Sequence, residues 1–226
     1  PQKDGIHGHD ALTVALGPGP AQELKGPLRR PDASPGAEHT SFDPIGTLGL
    51  FEGAIYRKDG TINDWGQFAE WAHPHRIRNT PGYNCSGHVL AASRVLLDLS
   101  IPLDAARYDL KGDSGPGVAR GQDWDFGWDI VMNLALLGGD VREMTYFDEA
   151  GEERPLAQAL ESSGGDTLRG FSVWNQAAWG EFIGEVREDR LYLASFSRVG
   201  YTSRGLRILH HHTVLILGED DAVWAQ

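Results

Sequence analysis

Apolar residues recur at helical spacing in the stretch that begins at Cys85. Three or four positions separate each pair of neighbours in the set Cys85, Val89, Ala92 and Leu96, a spacing that predicts one buried face of a helix. The turn-forming run 79–82 precedes it, so Cys85 is expected at or just before the first helical turn. Similar spacing predicts further helices over 61–71, 128–137, 156–162 and 177–186.

Strand patterns dominate the C-terminal third of the chain. Apolar, β-branched and aromatic residues favour strands over 168–174, 191–196, 213–217 and 222–225. Residues 1–45 are rich in Gly and Pro and are expected to form an extended N-terminal arm, with a short strand at 11–16. Residues 46–226 are expected to form one α+β domain, in which the Cys85 helix packs on a C-terminal antiparallel sheet.

Length, charge and cysteine content limit the classes of function. The 226 residues suffice for one well-buried domain, and the formal net charge is -12 from 32 acidic and 20 basic residues. Nucleic acid or an anionic membrane would require a basic face, so neither is expected as a partner. No apolar run approaches the ~20 residues that span a bilayer. The single cysteine allows no internal disulfide, and no metal or cofactor is predicted.

The predicted location of Cys85 at a helix N-terminus can make its thiol more reactive. A lone cysteine is most often a small buried hydrophobe. At the N-terminus of a helix, however, the exposed N–H groups and the helix dipole stabilise a thiolate, and the same N–H groups can bind an oxyanion.

A histidine near the C-terminus can act as the base that such a thiol requires. His212 opens the apolar run 213–217, which would hold its imidazole rigidly. His210 is the alternative base, because strand alternation would direct His210 and His212 to one face and His211 to the other.

The run Asn84-Cys85-Ser86-Gly87-His88-Val89 resembles the Asp-Cys-Ser-Gly-aliphatic-Val signature of the NlpC-type cell-wall peptidases, members of the papain-like superfamily. The run from His212 to Gly218 is similar to that family's histidine strand in length and in its order after the cysteine. Asn84 stands where the family has Asp, and a long insertion separates Cys85 from His212. The resemblance implies a papain-like fold, with Cys85 as nucleophile and His212 as base.

Two further site residues follow from the resemblance and the motif. Papain-like enzymes orient the histidine with a polar residue from the next strand, and Gln226 is the best-placed residue if 222–225 forms that strand. Asn84 is expected either to assist the oxyanion or to cap the Cys85 helix.

The resemblance implies a cysteine peptidase or amidase that cleaves amide bonds in peptidoglycan stem peptides. Such enzymes act in the cell wall, as secreted or periplasmic remodelling enzymes or as delivered toxins. For a toxin, an inhibitory immunity protein is a further expected partner. No secretion signal is visible in the chain, which begins at Pro1.

Two other classes of function remain open from the sequence. One is a papain-like acyltransferase or lipid-acting enzyme, in which an upstream histidine, His73 or His75, would be the base. The other is a non-catalytic binding module, in which Cys85 would have no chemical role.

Overall fold

Two long neighbouring strands near the C-terminus carry the alternating apolar residues that the sequence predicts. In the computed structural model they are β9 (Leu191–Thr202) and β10 (Gly205–Glu219), which pair antiparallel. The structure describes residues 9–16, 46, 48–110, 126–163, 170–202, 205–219 and 222–225.

Among these residues, seven strands form one sheet around β9 and β10. The others are β1 (His9–Leu16), β6 (Thr145–Phe147), β7 (Glu153–Pro155), β8 (Phe171–Ser172) and β11 (Ala222–Ala225). Their order is β11–β10–β9–β1–β6–β7, with β8 also beside β1, and every pairing is antiparallel. The strand expected at 11–16 is confirmed, and it lies inside the sheet.

Five α-helices with bounds inside the described residues accompany the sheet, in addition to short 3-10 helices at Gly49–Phe51 and Val141–Glu143. They are α1 (Cys85–Leu96), α2 (Leu103–Ala106), α3 (Phe126–Gly138), α4 (Leu156–Ser163) and α5 (Gln176–Glu185). The helices predicted at Cys85 and over 128–137, 156–162 and 177–186 are therefore confirmed. None of the described helices is both long and apolar enough to cross a bilayer.

Helices cover both faces of the sheet, because successive side chains of a strand point to opposite sides. Leu193 and Leu215 pack in one core with residues of α1 and α3. Tyr192 and Val214, the preceding strand residues, pack in a second core with Phe182 of α5. This arrangement confirms an α+β protein whose cysteine-bearing helix lies against the antiparallel sheet.

Four short strands surround the start of α1. A parallel pair joins β2 (Ile55–Tyr56) to β5 (Gly82–Tyr83), and an antiparallel pair joins β3 (Gly60–Ile62) to β4 (Phe68–Glu70). The helix predicted over 61–71 is therefore wrong. The Asn63 side-chain oxygen instead accepts hydrogen bonds from the N–H groups of Trp65 and Gln67, and Gly66 adopts a φ of 73° in the turn.

A buried arginine connects the short strands to α1. Arg94, 4% exposed, donates hydrogen bonds to the carbonyls of Ile62, Asn63 and Ile101. Its guanidinium also forms an ion pair with Asp64 at 2.9 Å. Several backbone acceptors therefore compensate its buried charge, and they hold β3 against the helix.

Candidate active site

Asn84 fixes the position at which the cysteine helix begins. Its side-chain oxygen accepts hydrogen bonds from the N–H of Gly87 at 2.7 Å and from the indole N–H of Trp71 at 3.0 Å. Its side-chain nitrogen donates to the carbonyl of Lys58 at 3.3 Å. Of the two roles expected for Asn84, the structure shows the helix cap. One N–H of this side-chain amide is therefore engaged by backbone.

Gly87 allows the first turn of α1 to approach strand β3 closely. A Cβ atom at this position would lie 2.2 Å from the carbonyl oxygen of Gly60 and 2.9 Å from the Cα of Thr61. Both contacts are with backbone, so a side chain would push the helix away from the strand. The glycine of the sequence motif thus determines where the end of the helix, and Cys85 with it, can lie.

Strand β10 brings His212 to the same place through a local irregularity. The paired residues pass from His210 with Ser197 to His212 with Phe196, so His211 is an additional residue that forms a β-bulge. In a regular strand, side chains two residues apart point to the same face, and His210 and His212 were expected to share a face for this reason. The bulge between them interrupts this alternation. The side chain of His210 lies outside the described residues.

Cys85 and His212 are in contact at the N-terminus of α1. The side chain of His212 is hydrogen-bonded to Cys85, and this bond raises the pKa of the imidazole above its ordinary value. Partial burial acts in the opposite direction, and the charge of Cys85 adds to the increase. Cys85 is half-buried and His212 is exposed, so solvent reaches the pair.

The residues that follow this pair in the sequence also meet. The hydroxyls of Ser86 and Thr213 are 3.3 Å apart, and both side chains are buried. Two consecutive positions of α1 therefore contact two consecutive positions of β10. This second contact lies directly beneath the thiol and the imidazole.

A groove with a volume of about 250 Å³ opens beside the thiol. Cys85, His212 and Thr213 line one part of it, together with Asn84. The remaining wall is mostly apolar and aromatic and comes from two chain segments: Phe51, Ala54, Ile55, Tyr56, Tyr83 and His88. The rings of Phe51, Tyr83 and His88 contact one another edge-on, with centroids 5.1–6.0 Å apart.

Other histidines expected near the site do not line this groove. His73 and His75 are exposed, and the ring of His75 packs beside Trp65 at a centroid distance of 5.7 Å. Gln226, the expected third catalytic residue, lies outside the described residues. The last described pair of β10 and β11 is Ile216 with Ala225, four positions along the strand from His212.

Several residues of the site were not identified from the sequence. Ser86 and Thr213 each adjoin a predicted catalytic residue, and this adjacency was the available signal. Phe51 and Tyr56 gave no signal, since only the folded chain brings them to Cys85. Among the residues that the structure describes, no group of three His, Cys, Asp or Glu side chains could hold a metal ion.

Comparison of the chain with protein-family models, with curated protein sequences and with solved structures gives no significant match.

Proposed function

We propose that this protein is a cysteine hydrolase that cleaves amide bonds, with Cys85 as nucleophile and His212 as general base and acid. The observation that carries the proposal is the hydrogen bond between these two side chains, at the N-terminus of a helix and beside an open groove. A nucleophile within hydrogen-bond reach of its base is the minimum arrangement for thiol catalysis. A purely structural cysteine has no need of an imidazole partner.

In the proposed reaction, His212 takes the thiol proton and the Cys85 thiolate attacks the amide carbonyl carbon. N–H groups at the first turn of α1 stabilise the oxyanion of the tetrahedral intermediate. Imidazolium then gives its proton to the leaving amine, and the thioester of Cys85 remains. Water, deprotonated by His212, hydrolyses this thioester to a carboxylic acid and restores the thiol.

The raised pKa of His212 supports the first step. The attraction between the His212 imidazolium and the Cys85 thiolate is mutual. The interaction that raises the pKa of the imidazole therefore also favours loss of the thiol proton. The imidazole of His212 would thus accept the thiol proton more readily than an isolated histidine does.

We further propose that the fold is papain-like. The support is the order of the two groups, with the thiol at the start of a buried helix and the imidazole on a later strand of the antiparallel sheet. The interval between them adds α3 to the core on the α1 side and α5 to the opposite face of the sheet.

Peptidoglycan stem peptides are the substrate that the motif resemblance suggests. The protein would then act at the cell wall, as a secreted or periplasmic remodelling enzyme or as a delivered toxin with an immunity protein. The competing papain-like reaction with an upstream base is disfavoured, because His212 is the histidine bonded to Cys85 while His73 and His75 lie outside the groove lining.

The decisive experiment measures alkylation and turnover together. Cys85 is the single cysteine, so intact mass after iodoacetamide treatment reports its modification directly. We expect rapid labelling near pH 6 in the wild type and slow labelling in His212→Ala. Wild type, but neither Cys85→Ala nor His212→Ala, should release peptide fragments from purified peptidoglycan.

His75→Ala is the matched control for the loss of an imidazole, and it should behave like the wild type. Labelling that requires unfolding would identify Cys85 as a core residue and would contradict the proposal. Rapid labelling without release of fragments would leave the thiol chemistry in place and reject the peptidoglycan substrate.

A further inference from the structure

The groove beside Cys85 is lined mostly by apolar and aromatic side chains. None of its described lining residues is an Asp, Glu, Lys or Arg. Burial raises the pKa of Tyr83 to about 12, so its phenol also stays neutral at physiological pH. A charged substrate group placed here would lose hydration without gaining an ionic partner, which is unfavourable.

Part of the apolar wall comes from the chain segment that carries Cys85. His88 follows Cys85 by one helical turn, and Tyr83 belongs to the strand β5 that leads into the same helix. His212 and Thr213, in contrast, come from β10. During amide cleavage the acyl group stays on sulfur, while the amine leaves from the imidazole that protonates it. A wall that includes chain neighbours of Cys85 is therefore suited to the acyl part of the substrate.

The size of the groove limits what it can receive. Its volume of about 250 Å³ is below the roughly 300–1,000 Å³ of pockets that enclose a drug-sized ligand. One amino-acid side chain and the reacting carbonyl would occupy most of it. At its mouth, Ile55 and Tyr56 are 59% and 74% exposed, which leaves apolar surface available to a substrate.

We infer that the groove selects an uncharged, apolar residue on the acyl side of the scissile amide. This inference rests on the proposed function, since it assigns the side chain next to the carbonyl that Cys85 would attack. Phe51, Tyr83 and His88 would supply a rigid aromatic wall, and Ile55 and Tyr56 would cover the side chain from the solvent side. Leu and Phe are the residue types that such a wall accommodates best.

Affinity-labelling probes test the selection without knowledge of the natural substrate. Benzyloxycarbonyl-aminoacyl chloromethyl ketones place one side chain on the acyl side, and the Cys85 thiolate displaces chloride to form a thioether. We expect the Leu and Phe probes to label Cys85 at least about tenfold faster than the Lys and Glu probes, with each rate divided by the iodoacetamide rate. The division removes differences in thiolate reactivity.

Variants at the mouth of the groove show whether this wall causes the preference. Ile55→Ser and Tyr56→Ala change exposed residues, so the variants should fold. The ratio of the Leu or Phe labelling rate to the Lys or Glu labelling rate should fall toward one. Tyr108→Ala, at a tyrosine that is 63% exposed and outside the groove lining, is the matched control and should retain it.

The outcomes separate the two proposals. Equal rates for all four probes, or faster Lys or Glu labelling, would overturn the inference while rapid iodoacetamide labelling keeps the thiol chemistry intact. Slow, His212-independent iodoacetamide labelling would overturn the proposed function and the inference with it.

Discussion

The buried hydroxyls of Ser86 and Thr213 are hydrogen-bonded at 3.3 Å, and each residue directly follows Cys85 or His212 in the chain. Their contact holds α1 and β10 together next to the positions of Cys85 and His212, the proposed nucleophile and base. A hydrogen bond in this location connects the stability of the fold to the geometry of the site.

We expect Thr213→Val, which keeps the side-chain shape and removes the hydroxyl, to destabilise the protein by about 1–3 kcal/mol, since Ser86 loses its buried partner. The iodoacetamide rate of Cys85 should fall as well. Urea denaturation and alkylation kinetics measure the two effects. In Ser86→Ala/Thr213→Val, stability should partly recover, because no hydroxyl is then left without its partner.

Ser93→Ala is the control on the same helix. Its hydroxyl is buried and makes no hydrogen bond among the described residues, so its removal should cost little stability and leave alkylation unchanged. An equal loss for Ser93→Ala and Thr213→Val would show that the Ser86–Thr213 contact has no special role.

The second prediction concerns the protonation of His212. Its hydrogen bond with Cys85 raises its pKa above 6.5, so Cys85→Ala should return the pKa to 6.5 or lower, where partial burial alone acts. Because the folded-state value lies above the unfolded one, the stability from this coupling is fully present below pH 6.5 and disappears as pH rises through the folded-state pKa. NMR titration of imidazole signals, assigned with His212→Ala, measures the shift. An unchanged pKa in Cys85→Ala would show that the two side chains do not interact in solution.

The third prediction compares two helical glycines. Gly87→Ala should destabilise the protein by about 1–3 kcal/mol or more, because its Cβ would overlap the carbonyl of Gly60. Gly184→Ala on α5 meets no atom within 4 Å, and should stabilise the protein by about 0.5–1 kcal/mol through better helix propensity. Thermal unfolding of the two variants gives the comparison, and shifts of the same sign would contradict the packing argument.

The fourth prediction separates the two roles considered for Asn84. Asn84→Ala removes the helix cap and the acceptor for Trp71, so we expect a loss of about 1–2 kcal/mol in denaturant unfolding. Asn84→Asp keeps both acceptor bonds and loses only the donor to Lys58. If the amide N–H stabilised the oxyanion, Asn84→Asp would lower turnover by about 10²–10³-fold at nearly unchanged stability. We expect a smaller change in turnover.

The local pattern of residues predicted the helices well and the hairpin of β3 and β4 poorly. In 61–71, apolar residues follow helical spacing, yet Trp65 is 54% exposed while Trp71 is 1% exposed. The deciding interactions are the side-chain bonds of Asn63 and the turn at Gly66. These interactions favour a turn over a helix, and the spacing of apolar residues carries no information about them.

The sequence indicated Cys85 because a helix start is a local feature, and it indicated His212 because an apolar run follows this histidine. The expectation that His212 opens its strand was wrong, since β10 begins seven residues earlier, at Gly205. The sequence could not indicate the aromatic wall, since Phe51 and Tyr56 reach the thiol only through pairing of β2 with β5. The bulge at His211 was also hidden, because strand register depends on the partner residues of β9.

The central location of β1 has a consequence for how the chain acquires its structure. Residues 9–16 pair with 191–198, so the first of the described strands gains this partner only after nearly the whole described chain has been made. Contacts between such distant residues slow folding and leave strand edges unpaired for longer. Adding this segment back as a peptide to a chain that lacks it should therefore complete the sheet.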